Sequence, residues 1–178
     1  MRQVRLGVFE TNSSSSHSIS IMKKGSVPDA QSLENQFWTY NGVLEEWGDD
    51  IEFGRTPFQV LTTPRERMRY AIASYATEDK FMDIEEIICR RVPTVKEIKL
   101  PECDRWHHNY SDDNTRFYGY VDHESMDVLP NFLNTHGITL EDFIFDNRYI
   151  VWVDGDEYQI KETMVDVGIV DKDNFEEL

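Results

Sequence analysis

The sequence predicts an α+β fold, a single domain over residues 1–178, and three observations carry that expectation. Period-two alternation marks both ends of the chain, apolar stripes of helical spacing occupy its middle, and no internal repeat or linker separates them. Hydrophobic residues make up 39% of the 178 and aromatics 12%, which supports a buried core and argues against a disordered chain.

The elements follow in order. Val4, Leu6 and Val8 alternate with Arg5 and Gly7. After the polar stretch Thr11–Ser16, His17, Ile19 and Ile21 fall on one face and Ser16, Ser18 and Ser20 on the other, which predicts an N-terminal β-hairpin. Gly25, Pro28, Gly42, Gly48, Gly54 and Pro57 break residues 25–62 into loops and brief strands. Thr63 is placed as an N-cap, with Pro64 first in the helix and Glu66 as the reciprocal capping partner. Met68, Ala71, Ile72 and Tyr75 then form its apolar stripe, and the helix ends near Thr77.

A second helix is expected over Asp83–Arg91, with Ile84, Ile87 and Ile88 inward and Pro93 marking its end. Val95, Ile98 and Leu100 suggest a short strand. His123–Asn134 reads as a helix interrupted or begun near Pro130. Gly137 closes it, Thr139 opens another with Asp142 in the capping position, and Asn147 ends that one. Tyr149–Val153 is a strong strand, and Asp154-Gly155 predicts a C-terminal β-hairpin with Tyr158–Lys161. A last short helix is expected over Thr163–Val170.

Eighteen Lys and Arg stand against 34 Asp and Glu, for a net charge of -16. That balance excludes a protein whose whole surface binds nucleic acid or anionic membrane by charge attraction. The charge is uneven. Residues 1–24 carry Arg2, Arg5, Lys23 and Lys24 against Glu10 alone, whereas the chain from Val121 onward sets Arg148, Lys161 and Lys172 among fifteen acids. Such an acidic body is read either as a solvated surface or as an imitation of a nucleic-acid backbone. No apolar run reaches the roughly 20 residues that span a bilayer, and the opening residues lack the apolar block of a signal peptide. With Cys89 and Cys103 as its two cysteines, the chain is expected in a host cell cytosol with both thiols free.

The segment Gly7-Val8-Phe9-Glu10-Thr11-Asn12-Ser13-Ser14-Ser15-Ser16-His17-Ser18-Ile19 concentrates small donors around one titratable base. Three chemistries are open to it. Its amides and hydroxyls form a nest for a phosphate, joined by Asn12 and the cations Arg2, Arg5, Lys23 and Lys24. Alternatively, His17 acts as general acid or base on a hydroxyl such as that of Ser14, with Glu10 orienting it. Or the serines cap neighbouring elements with no chemistry at all. No G-x-S-x-G elbow or P-loop is present, and the spacing fits no standard triad, so the structural reading outweighs the catalytic one.

These residues carry a resemblance. The opening R-x-G-V-F-E-T-N-S-S-S-S-H-S-I is similar to that of a family of small proteins encoded by bacteriophages and mobile elements of Firmicutes. Arg5, Phe9, Glu10, Thr11, Asn12, the serines and His17 match within residues 1–21. Members share this signature and diverge after it. The resemblance implies a phage or mobile-element accessory protein, and small acidic proteins of that kind include inhibitors of host defence such as anti-CRISPR proteins.

Other constellations are weaker. Cys103, His107, His108, Asp112, Asp113 and His123 are zinc-ligand types without zinc-site spacing, and an aromatic-rich loop is the better reading. Asp154, Asp156 and Glu157 supply too few ligands for a calcium loop. No metal or cofactor is called for. Arg65, Arg67, Arg69, Arg90 and Arg91 suggest a basic strip, more simply neutralised by surrounding acids. Phe37-Trp38-Thr39-Tyr40 and Glu45-Glu46-Trp47-Gly48-Asp49-Asp50 interleave aromatics with acids. Trp38, Glu45, Glu46, Trp47, Asp49 and Asp50 are therefore the candidate partner-binding residues, against the alternative that the aromatics complete a core.

Three functions are consistent with these features. The first is an inhibitor that docks on a host nucleic-acid-handling defence complex such as a Cas9-type effector, its cationic hairpin touching RNA or DNA phosphates. The second is a small phosphodiesterase or ribonuclease using His17 and the Ser-rich turn on guide RNA or a signalling nucleotide. The third is a virion or packaging-associated interaction protein.

Overall fold

The computed structural model describes residues 4–6, 16–21, 28–53, 59–75, 78–101, 119–121 and 128–154. The alternation at the two ends folds into one sheet. Strands β1 (Val4–Leu6), β2 (Ser16–Ile21), β5 (Gln59–Leu61) and β8 (Tyr149–Asp154) assemble in the order β1-β2-β8-β5, each pair antiparallel. The N-terminal hairpin is present, with Val4 opposite Ile21 and Leu6 opposite Ile19. The second strand expected for a C-terminal hairpin lies outside the described residues, as does the helix expected over 163–170. β2 and β5 flank β8 on its two sides at Val151–Val153.

Residues 28–53 contain the brief strands expected, β3 (Val43–Glu45) and β4 (Glu52–Phe53), and one helix that the Gly and Pro punctuation hides. α1 (Ala30–Gln36) starts where the Asp29 carboxylate accepts the Ser32 N–H at 2.8 Å. β3 pairs in parallel with β6 (Glu97–Lys99), and β4 with β7 (Tyr120–Val121).

α2 (Pro64–Tyr75) begins as its capping signature requires. Thr63 Oγ1 accepts the Glu66 N–H at 3.3 Å, and Glu66 Oε2 accepts the N–H groups of Thr62 and Thr63 at 2.8 Å each. α3 (Glu78–Arg91) starts five residues before Asp83. Its Ile84 and Ile88 are fully buried and Ile87 half-buried. The part of the next helix expected from His123 lies outside the described residues. α4 (Val128–His136) takes Pro130 into its first turn, where a missing N–H costs nothing, in keeping with a helix begun near Pro130. Gly137, at φ +62°, ends it. Thr139 caps α5 (Leu140–Phe145), accepting the Asp142 N–H at 3.0 Å.

α2 is the hub. It packs against α1, α3, α4, α5, β4 and β7, so it buries far more than the stripe its spacing shows: Tyr70, Ala73 and Ser74 are inside along with Met68, Ala71 and Ile72. Arg67 is inside too, with no solvent exposure. Its Nε is shared between the carbonyls of Phe143 (2.9 Å) and Ile144 (3.0 Å). Nη1 reaches the carbonyls of Thr62 (2.6 Å) and Tyr149 (3.1 Å), and Nη2 reaches Asn147 Oδ1 (3.2 Å). The first two carbonyls end α5 without helical partners, so one buried guanidinium caps α5 and ties it to α2 and β8. Burial, opposed by Glu66 and Asp146, lowers its pKa to about 10, which leaves it charged at neutral pH.

Gly119 is required where it stands. At φ +82°, its Cβ would sit 2.5 Å from the Ile51 carbonyl oxygen, so only glycine lets the chain entering β7 pass so close.

Candidate functional site

Sequence alternation around Phe37 sorts side chains between core and solvent. Phe37 is buried against Phe145, ring centroids 6.2 Å apart, whereas Trp38 is 70% exposed and Tyr40 71%. Tyr40-Asn41-Gly42-Val43 then turns back on itself. Asn41 and Gly42 have φ of 54° and 84°, and Tyr40 and Val43 exchange both backbone hydrogen bonds at 3.0 Å. That is a two-residue Asn-Gly turn with both central residues left-handed. β3 follows, then Glu46 and Trp47, the latter 65% exposed. The three aromatics thus lie on one strap, residues 37–47, with the turn at its midpoint.

Two arginines one helical turn apart on α2 hold this strap. Arg65 Nε donates to Glu46 Oε1 at 2.9 Å, Nη1 to the Gln36 carbonyl at 3.3 Å, and Nη2 to the Glu45 carbonyl at 3.3 Å. The segments leading to Trp38 and Trp47 therefore meet at one guanidinium. Arg69 Nε donates to Glu46 Oε2 at 2.7 Å, and its Nη2 lies 2.9 Å from Asp50 Oδ2. Asp50 also accepts the Trp47 N–H at 3.4 Å, at the start of a 3-10 turn over Gly48–Ile51. At the far edge, Lys99 Nζ donates to Glu45 Oε1 at 2.6 Å, and that hydrogen bond, with the attraction behind it, raises the ammonium pKa above its ordinary value.

The expected partner-binding residues divide. Trp38, Trp47 and Glu45 are on the surface. Glu46 is not: its side chain has no exposure, and it serves as internal counter-ion to Arg65 and Arg69. Asp50 is half-buried on Arg69, and Asp49 lies in the 3-10 turn beside it. Tyr40 belongs with the exposed aromatics, and the signal that finds it is the Asn41-Gly42 pair. Acids neutralise the basic strip as expected at Arg65, Arg69, Arg90 and Arg91, the last two both holding Glu141 at 2.6 and 2.9 Å, but not at Arg67, whose partners are carbonyls and an amide oxygen.

Of the residues proposed for the catalytic turn and its phosphate nest, only Arg5 and His17 fall within the described residues. Glu10, Asn12, Ser14, Arg2, Lys23 and Lys24 lie outside the described residues, as does the loop carrying Cys103, His107 and His108. Arg5 is paired opposite Ser20 in the hairpin. His17 sits in β2 opposite Val153, two positions before Ile19, so it shares strand parity with a core residue. Among the described residues, no group of three or more His, Cys, Asp or Glu could hold a metal ion, and no helix is long and apolar enough to cross a membrane. Comparison with protein families, curated proteins and solved structures finds no match to this chain.

Proposed function

We propose that this chain is an inhibitory docking protein of a phage or mobile element, acting in the host cytosol on a nucleic-acid-handling defence complex such as a Cas9-type effector. The observation that supports this reading best is the division of labour between its charges and its aromatics. Arg65, Arg69, Arg90, Arg91 and Arg148 are each bound to a carboxylate of the chain itself, and Arg67 to carbonyls. Three large aromatics, meanwhile, face solvent on a braced strap. An acidic body with fixed aromatic anchors suits a cationic protein surface, and Cas9-type effectors hold their nucleic acid in a positively charged channel.

The test mixes the purified chain with Cas9, guide RNA and target DNA, and follows target and guide on a denaturing gel. Blocked cleavage with an intact guide, saturating at one chain per effector, is the expected result. A guide shortened by substoichiometric chain, and spared with His17→Ala, would replace this reading with a nuclease. Unimpeded cleavage would remove Cas9-type effectors from it.

A further inference from the structure

We infer that the strap carrying Trp38, Tyr40 and Trp47 receives arginine side chains of a protein partner. This rests on the docking reading and narrows it to one segment and one kind of contact.

The first support is how the molecule treats its other rings. Arg91 lies over Phe145 at 4.8 Å from the ring centre, Arg148 over Tyr149 at 5.6 Å and Lys80 over Tyr75 at 5.9 Å. Among the described residues, no cation lies over Trp38, Tyr40 or Trp47. Of the neighbouring cations, Arg65 and Arg69 are bound to Glu46 and Lys99 to Glu45, while Lys96, whose stem passes Gly42 of the turn, is exposed and carries no ion pair among the described residues. Indole and phenol faces attract a guanidinium, and indole attracts it most strongly.

Charge supplies the second support. Glu34, one turn before Trp38, and Glu97, in the strand beside β3, are exposed and carry no ion pair among the described residues; Glu45 is exposed but bound to Lys99, so with Lys96 these positions set three acids against two cations. Such a border accepts guanidinium N–H groups. It repels the phosphates of nucleic acid and of anionic lipid, and a net charge of -16 disfavours a second copy of the chain. The third support is rigidity. Because Arg65, Arg69 and the Asn41-Gly42 turn already fix the strap, its aromatics need little ordering on binding.

Fluorescein-labelled octa-arginine, titrated with the full chain at physiological salt and followed by anisotropy, tests this directly. Trp38→Ala/Trp47→Ala should weaken binding about tenfold. Trp38→Phe/Trp47→Phe, which keeps π faces, should recover most of it. The charge control Asp83→Asn/Glu86→Gln on α3 should bind as the native chain does. Equal weakening by the α3 control, or native binding by the Trp-to-Ala chain, would overturn the inference in favour of diffuse charge attraction. So would tighter binding of single-stranded RNA or anionic vesicles at the same tryptophans, or a dimer that the Trp-to-Ala change dissolves. The two proposals fail separately: octa-arginine seated on the strap while Cas9 cuts freely sinks only the Cas9 reading, and a Cas9 block indifferent to the tryptophans sinks only this one.

Discussion

Glu46 and Trp47 are chain neighbours with opposite fates: the Glu46 side chain is wholly buried between Arg65 and Arg69, while Trp47 is 65% exposed. The buried acid is what holds the exposed aromatic in place.

Glu46→Gln removes the charge that two partly buried guanidinium groups share. It should destabilise the chain by about 3 kcal/mol in urea unfolding, the range for breaking a buried pair. Glu45→Gln should leave the midpoint where it is, because its Lys99 pair is on the surface. Equal effects would mean that the clamp carries no structural weight.

Arg67→Met should cost about 3–5 kcal/mol, since it strips donors from the buried carbonyls of Phe143, Ile144 and Tyr149 and from the carbonyl of Thr62. Arg67→Lys should not restore stability, because an ammonium cannot span acceptors arranged around a planar fork. A methionine chain as stable as the native one would show that those carbonyls find other donors.

Gly119→Ala forces a Cβ against the Ile51 carbonyl at a left-handed φ. A loss of about 1–3 kcal/mol is expected. An unchanged thermal midpoint would place Gly119 elsewhere.

These three positions also show how far the sequence could be read. Caps were legible because their chemistry is local: Thr63 with Glu66, and Thr139 with Asp142, are complete within four residues. The hairpin at residues 4–21 followed from alternation. Arg67 was not legible as a core residue, since its acceptors lie 76 to 82 positions away in Phe143, Ile144 and Tyr149. Glu46 looked like one of several surface acids, because nothing local distinguishes it from Glu45. Asn41-Gly42 is a local turn signal, but it stands among the many breakers of residues 25–62.

Acid should weaken the α3–α5 junction in a defined direction. Burial alone would raise the Glu141 carboxyl, but hydrogen bonds from Arg91 and Arg90 outweigh it and hold it below its ordinary value. Asp146, likewise raised by burial, is brought lower by Arg148. Groups depressed in the fold contribute fully above their unfolded pKa, about 4 for carboxylates, and lose that contribution as pH falls through the folded values. The stability gap between the native chain and Glu141→Gln should therefore be constant near neutrality and close below about pH 4. A gap that widens on acidification would reverse the assignment.

The strap is the centre of this account, and one assay bears on it most directly: the dose of chain that halves Cas9 target cleavage, measured for the native protein and for Trp38→Ala/Trp47→Ala. Both indoles are exposed, so the variant should keep its unfolding midpoint while the half-inhibitory dose rises about tenfold or more. A correctly folded variant that inhibits at the native dose would contradict the account and move the activity away from the strap.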